Sequence, residues 1–96
     1  MSSAPVLSAD EVQQQLATLP GWTRQNDTIT KTFRFATFPD GIDCIARVAD
    51  IAEAQQHHPD IDIRYTAVTF TLSTHDSGGI TGKDFELAAA IEDCAR

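Results

Sequence analysis

Residues 53–75, EAQQHHPDIDIRYTAVTFTLSTH, decide the fold, because they hold a helix end and two strands in direct succession. Pro59 is typical of a helix stop, since the residue before a proline is pushed out of the helical region. After it, residues 61–65 and 68–72 alternate apolar with polar side chains, which predicts two strands joined by a tight turn. The stretch therefore predicts a helix followed by an antiparallel β-hairpin, with histidines at both ends.

Upstream of this stretch the sequence predicts another helix and another hairpin. Ser8 and Glu11 fit a capping box, and apolar residues at helical spacing follow them, which predicts a helix over residues 9–18. Residues 28–36 alternate apolar residues with threonine and arginine, the period of a strand with one polar face. A short strand opened by Trp22 is expected to pair with it.

Two further helices complete the pattern. Residues 38–41 are expected to form a turn that leads into a helix, and Asp84 lies at the start of the last helix, where a carboxylate suits the positive end of the dipole. The predicted apolar stripe of the middle helix consists of Ile42, Ile45, Val48, Ala49 and Ala52. The predicted inward residues of the last helix are Phe85, Leu87, Ala88, Ile91 and Ala95.

The predicted order is αββαββα, which indicates an α+β fold with a four-stranded antiparallel sheet covered by helices on one face. The threonine-rich opposite face is expected to be solvated or to form a subunit contact. We expect one domain over residues 1–96, with residues 1–7 flexible. A chain of this length buries only about 60–65% of its unfolded surface, which favours a homodimer or homotetramer.

Composition excludes some classes of function. The net charge of −7, without any run of Lys or Arg, argues against a nucleic-acid-binding surface. No stretch approaches the ~20 apolar residues that span a bilayer, and residues 1–10 carry no secretory leader pattern. Cys44 and Cys94 lie far apart in the sequence and form no CxxC motif. This pattern favours free thiols in a reducing compartment. We therefore expect a cytoplasmic protein that contacts neither nucleic acid nor membrane.

His57, His58 and His75 are the candidate chemical groups, because imidazole is the side chain whose ordinary pKa lies between pH 5 and 8. A helix packed across the sheet is expected to bring its end close to the strand end that carries His75. Glu53 is expected to orient His57 by accepting from its ring N–H. The same residues also fit a polar helix terminus favoured by the dipole, with His75 an ordinary loop residue, and spacing alone does not decide between these interpretations.

A metal site is a further alternative, because three histidines with Glu53, Asp76 or Asp84 match the ligands of zinc. Adjacent histidines rarely chelate one ion together, and the sequence has no HxxxH or HExxH spacing, so a metal is disfavoured. The glycines at 78, 79 and 82 do not form a phosphate-binding pattern.

In their order and spacing, these residues resemble the pterin-4a-carbinolamine dehydratase family. Its mark is an acidic residue, three spacers, His-His-Pro, an aromatic residue, a further histidine and a later aspartate. The chain supplies these as Glu53, His57-His58-Pro59, Tyr65, His75 and Asp84, and the resemblance extends over residues 8–95. Two positions depart from the family pattern: Ile61 stands where an aromatic residue is common, and Gln56 where an acidic one is.

The resemblance implies dehydration of a 4a-hydroxytetrahydropterin, such as 4a-hydroxytetrahydrobiopterin, to the quinonoid dihydropterin, with no metal or bound cofactor. It assigns His57 and His75 to the acid/base pair and His58 to substrate binding with some proton transfer. Glu53 and Asp84 are implied to orient these groups. It further implies pterin recycling beside an aromatic amino acid hydroxylase, or repair of the carbinolamine in another pathway.

The family also includes non-catalytic members, so a protein-binding or assembly-factor role is the second hypothesis. Retention of all three histidines favours the enzyme, because a scaffold has no physical need for them. A third hypothesis, an acidic chaperone-like partner protein, depends on the net charge alone.

Overall fold

The computed structural model describes residues 4–95, and the elements follow one another in the predicted order. They are α1 (Ala9–Leu16), β1 (Thr23–Gln25), β2 (Thr28–Arg34), α2 (Phe38–Gln55), β3 (Asp60–Arg64), β4 (Ala67–Leu72), a short 3₁₀ helix (His75–Ser77) and α3 (Gly82–Ala95). The αββαββα prediction is confirmed. The 3₁₀ helix after β4 was not predicted.

The four strands form one antiparallel sheet in the order β1-β2-β4-β3. The central pair, β2 with β4, is aligned from Ile29 opposite Leu72 to Arg34 opposite Ala67. Because α2 connects β2 to β3, it crosses the sheet and places β3 beyond β4. The predicted four-stranded antiparallel sheet with helices on one face is confirmed.

The core lies between the sheet and the helices. Every second residue of β4 is buried, and Val68, Phe70 and Leu72 are fully so, which is the period-two pattern of a strand with one covered face. The side chains that meet them from the rest of the chain are Val12, Trp22, Ile29, Cys44, Val48, Ala52, Ile80, Phe85, Leu87, Ala88 and Ile91.

Helix α1 begins as its sequence predicts. The Ser8 N–H donates to Glu11 Oε1 over 2.8 Å, and Ser8 Oγ accepts from the Glu11 N–H over 3.2 Å, so the capping box is complete. Hydrogen bonding of the Glu11 carboxylate to Ser8, from its backbone N–H first and its side chain second, holds the pKa of Glu11 below its ordinary value. The helix ends at Leu16, two residues before the predicted end.

Helix α2 begins at Phe38, so the predicted turn over residues 38–41 is wrong. Thr37 Oγ1 accepts from the Asp40 N–H over 3.2 Å and caps the helix, and Pro39 suits the first turn, where its missing N–H costs nothing. These local signals start the helix one turn earlier than the apolar periodicity suggested.

The buried face of α2 also differs from the predicted stripe. Gly41 and Cys44 are buried, whereas Ile42 and Ala49 are exposed. A Cβ atom on Gly41 would lie 3.3 Å from Val68 Cγ2, so glycine lets the helix approach the sheet closely at this point. The face of the helix that meets the sheet is therefore the one that carries Gly41.

The opposite face of the sheet is polar. Hydroxyl pairs cross from β2 to β4, with Thr30 and Thr71 3.1 Å apart and Thr32 and Thr69 2.7 Å apart. Within residues 4–95 no helix covers this face.

Strand β3 is an edge strand with exposed apolar side chains. Ile61 and Ile63 lie opposite the buried Phe70 and Val68, on the helix side of the sheet, but remain 37% and 43% exposed. Tyr65, in the turn that follows, has a positive φ of 54° and is 76% exposed.

The segment before α1 contacts the loop that precedes α3. The Leu7 N–H donates to the Ile80 carbonyl over 2.9 Å, and the Ser77 hydroxyl donates to the Ala4 carbonyl. The flexibility expected for residues 1–7 stays a prediction, and residues 1–3 of that segment lie outside the described residues. None of the helices within residues 4–95 combines the length and apolarity that crossing a membrane requires.

Candidate active site

The end of α2 turns the first histidine inward. Gln56 adopts the left-handed conformation, with φ 55° and ψ 40°, and its N–H donates to the Glu53 carbonyl. The His57 N–H donates back to the Ala52 carbonyl over 3.0 Å, which completes a Schellman-type helix ending. His57 therefore leaves the helical path, and it is 8% exposed.

His57 pairs with Asp84. Its Nε2 lies 2.6 Å from Asp84 Oδ1, and the Asp84 carboxylate, in the first turn of α3, is fully buried. The pair joins the end of α2 to the start of α3 across 27 residues of sequence. A carboxylate so placed fixes the orientation of an imidazole.

Glu53 pairs with His58 instead, so the predicted contact between Glu53 and His57 is wrong. Glu53 Oε1 lies 2.8 Å from His58 Nε2, and both side chains are mostly exposed. The prediction assumed that the helix continued to residue 57. The left-handed Gln56 ends the helix instead, so that His57 is buried and His58 lies beside Glu53.

Two threonines that are not among the predicted site residues surround Asp84. Asp84 Oδ2 accepts from the Thr74 hydroxyl and from the Thr81 N–H, each over 2.9 Å. The two threonine hydroxyls lie 2.7 Å apart, and Thr81 Oγ1 accepts from the Lys83 N–H over 3.2 Å. The Thr-x-x-Asp spacing of residues 81–84 predicts a helix start, and such spacing also signals that Thr81 and Asp84 share hydrogen bonds. Nothing in the local sequence marks Thr74.

His75 begins the 3₁₀ helix directly after Thr74 and is exposed. It lines a shallow cavity of about 170 Å³ together with His57 and His58. The other lining residues are Gln56, Ser73, Thr74, Asp76 and Lys83. The structure thus brings the three histidines to one cavity, with Asp84 behind His57 and Glu53 outside the lining.

A larger cleft of about 360 Å³ lies elsewhere, between the end of β2, the start of α2 and the end of α3. Arginine and aspartate side chains line it, and it contains no histidine. Because proton transfer near neutral pH needs groups that titrate there, the smaller cavity is the candidate active site.

In the part of the chain that the structure describes, no three His, Cys, Asp or Glu side chains converge as a metal site requires. Three imidazoles meet at one opening, with Asp76 and Lys83 in the same lining. One of them is held by a buried carboxylate and another by an exposed one.

Comparison with known proteins shows which family the chain matches. The family described as pterin 4 alpha carbinolamine dehydratase matches residues 5–94. A relative from Roseiflexus castenholzii is 53% identical over 90 residues, covering 94% of this chain and 97% of its own. A relative from Mycobacteroides abscessus is 52% identical over 87 residues, covering 91% of this chain and 93% of its own. Both are provisionally named as pterin-4-alpha-carbinolamine dehydratases.

Two solved structures share the fold. A transcriptional coactivator/pterin dehydratase from Brucella melitensis superposes with a TM-score of 0.92 at 31% identity, over 95% of this chain and 99% of its own. A pterin dehydratase-like protein described as a RuBisCO assembly factor in the alpha-carboxysome superposes with a TM-score of 0.64, over 77% of this chain and 86% of its own. At 21% identity, this second likeness concerns the fold alone. Because the family matches nearly the whole chain and relatives exceed half identity, the chain belongs to the pterin-4-alpha-carbinolamine dehydratase family.

Proposed function

We propose that the protein is a 4a-hydroxytetrahydropterin dehydratase, with 4a-hydroxytetrahydrobiopterin as a substrate. The observation that carries the proposal is the convergence of three histidines on one cavity, one of them paired with a fully buried aspartate. A buried carboxylate needs strong compensation for its lost hydration. Asp84 obtains it from His57 at the cavity wall and from hydrogen bonds that Thr74 and Thr81 donate.

The reaction removes water from a carbon–nitrogen unit of the pterin ring. The C4a–O bond breaks and its electron pair leaves with the oxygen, which an acid protonates to give water. A base takes the proton from a ring N–H, and that electron pair forms the new C=N bond. After one turnover the acid has lost a proton and the base has gained one. Both groups return to their starting forms by exchanging protons with solvent before the next cycle.

His57 and His75 are the proposed acid/base pair. They lie on different chain segments, one after α2 and one after β4, and line the same cavity, so a flat ring between them can meet a donor and an acceptor. Asp84 is proposed to orient His57 and to balance its charge when it is protonated. No metal or bound cofactor takes part in this scheme.

His58 is proposed to bind the substrate, with Glu53 orienting its ring. This pair is open to solvent, so its contribution to binding is expected to be small, as for other exposed ion pairs. Its exposed position suits a group that exchanges protons with water.

The second candidate is a non-catalytic role in binding or assembling other proteins. It is favoured by the likeness of fold to the protein described as a RuBisCO assembly factor. The buried His57–Asp84 pair favours the enzyme, because a protein-binding surface gains nothing from a carboxylate buried behind a cavity.

The test is the decay of freshly made 4a-hydroxytetrahydropterin, followed by its ultraviolet absorbance. The protein should accelerate the decay, and His57→Ala and His75→Ala should each slow it by about 10²–10⁴-fold. Thr32→Ala, on the open face of the sheet, is the control and should retain full activity. If the protein leaves the decay rate unchanged, or if both histidine variants match the parent, the enzymatic proposal is wrong.

We also infer that the protein forms a homodimer or homotetramer through β3. Two copies of this strand that pair antiparallel about a two-fold axis can place Asp62 of one opposite Arg64 of the other. The two Ile63 side chains then meet each other on the helix side of the sheet. The free edge of β3 and its exposed isoleucines favour this arrangement.

The proposed setting is the cytoplasm, where the protein would act on a pterin. It would recycle the cofactor of an aromatic amino acid hydroxylase or repair the same carbinolamine formed in another pathway. Neither nucleic acid nor membrane is a proposed partner.

A further inference from the structure

We propose that Thr74 and Thr81 are positioning residues that act on His57 through Asp84. Their hydroxyls form a buried chain that fixes the Asp84 carboxylate and thereby holds the proton of neutral His57 on Nε2. The ring nitrogen left to exchange a proton with the substrate is then Nδ1. The catalytic consequence rests on the proposed dehydratase function, whereas the effect on the His57 tautomer does not.

The direction of every hydrogen bond in the chain follows from one fact, that an ionised carboxylate only accepts. The Thr74 hydroxyl therefore gives its one proton to Asp84 Oδ2. Thr81 must then donate to Thr74 across their 2.7 Å contact. The oxygen of Thr81 accepts in turn from the Lys83 N–H. All donors point toward the carboxylate, an arrangement in which each bond strengthens the next.

The same fact assigns the His57 proton. Asp84 Oδ2 already accepts from Thr74 and from the Thr81 N–H, and Oδ1 lies 2.6 Å from His57 Nε2. Because Oδ1 can only accept, Nε2 must carry a proton, and Nδ1 of the neutral ring has the free lone pair.

Burial keeps water from replacing the threonines. Asp84 and Thr81 are fully buried and Thr74 is 4% exposed. A hydroxyl removed from this cluster leaves an oxygen of Asp84 or a hydroxyl without its partner, and such a group is costly away from water. The carboxylate would then find another orientation or take up a proton, and either change alters the bond to His57.

One of the two threonines also anchors the strand end that carries His75. The Thr74 N–H donates to the Gly79 carbonyl over 3.0 Å, and the Thr74 carbonyl accepts from the N–H groups of Ser77 and Gly78. Thr74 thus holds the backbone next to His75 and the carboxylate behind His57.

The first test is kinetic and uses Thr74→Val and Thr81→Val, which keep the shape and remove the hydroxyl. We expect each to lower kcat by about 10- to 100-fold with little change in KM, because the loss affects proton transfer more than binding. Thr74→Ser restores the hydroxyl and should recover activity to within about threefold. Thr69→Val is the matched control, since it removes a 2.7 Å hydroxyl pair on the open face, and it should behave as the parent.

The second test is independent of activity. Nitrogen-15 NMR of the imidazole ring distinguishes the two neutral tautomers, and neutral His57 of the parent protein should be protonated on Nε2. A parent His57 protonated on Nδ1 overturns the proposal without any variant, even if the valine variants do not fold. In Thr74→Val we expect a mixed tautomer, and an unchanged tautomer together with unchanged kcat overturns it equally. A protein that carries the Nε2 tautomer but fails to dehydrate the pterin disproves only the proposed function.

Discussion

His57 and His58 are neighbours in the sequence, yet each pairs with a carboxylate in an opposite environment. The His57–Asp84 contact of 2.6 Å joins a side chain that is 10% exposed, against 8% for the whole residue, to a fully buried carboxylate. The His58–Glu53 contact of 2.8 Å joins side chains that are 64% and 77% exposed. Water and salt screen the second pair but not the first, so similar distances imply very different energies.

Neutralising the two carboxylates should therefore have unequal effects. Asp84→Asn keeps the size but offers an N–H where His57 needs an acceptor, so we expect kcat to fall by about 10²–10⁴-fold. Glu53→Gln should change kcat by less than about threefold and stability by less than about 1 kcal/mol. Steady-state kinetics and urea unfolding of the two variants measure this contrast. Equal losses in both variants would show that burial does not distinguish the two pairs.

The sequence predicts the scaffold of this site better than its contacts. Alternation in residues 68–72 and the capping box at Ser8 depend on neighbouring residues, and both are present as predicted. The predicted partner of His57 was wrong because the true one depends on the left-handed backbone conformation of Gln56. Glutamine rarely adopts that conformation, so the sequence does not predict it. Thr74 was missed because only the packing of α3 against the end of β4 brings it to Asp84.

Gln56 itself allows a test of this helix ending. A residue other than glycine at φ 55° costs about 1–2 kcal/mol in the folded state, although glycine is more flexible in the unfolded chain. We expect Gln56→Gly to raise the free energy of unfolding by about 0.5–1 kcal/mol and Gln56→Val to lower it by at least as much. Denaturant unfolding measures both. A stabilising valine would contradict the left-handed conformation.

The two cysteines should differ in reactivity toward thiol reagents. Burial raises the pKa of the Cys44 thiol, and the nearby Cys94 raises it further against the opposing charge of Arg47. Less thiolate is then present at pH 8, and the reagent has no access to a fully buried sulfur. Cys94 is partly exposed and should be alkylated first.

Mass spectrometry of the folded protein after brief iodoacetamide treatment separates the two thiols. Cys44→Ala should leave the rapid modification intact, and Cys94→Ala should abolish it. Rapid modification of Cys44 in the folded state would mean that the core opens readily, since that thiol belongs to the buried core.

The proposed pairing through β3 makes a prediction about mass in solution. Ile63→Lys places a charge at the centre of the inferred interface, where two copies of the residue face each other and like charges repel. Because Ile63 is already 43% exposed within one chain, the fold itself should tolerate the change. Light scattering should therefore report a smaller assembly for this variant, with unchanged circular dichroism. Gln13→Lys adds the same charge to an exposed position of α1 and should keep the parent mass. If the parent is a monomer, or if Ile63→Lys retains its mass, the apolar edge of β3 does not join two copies of this chain.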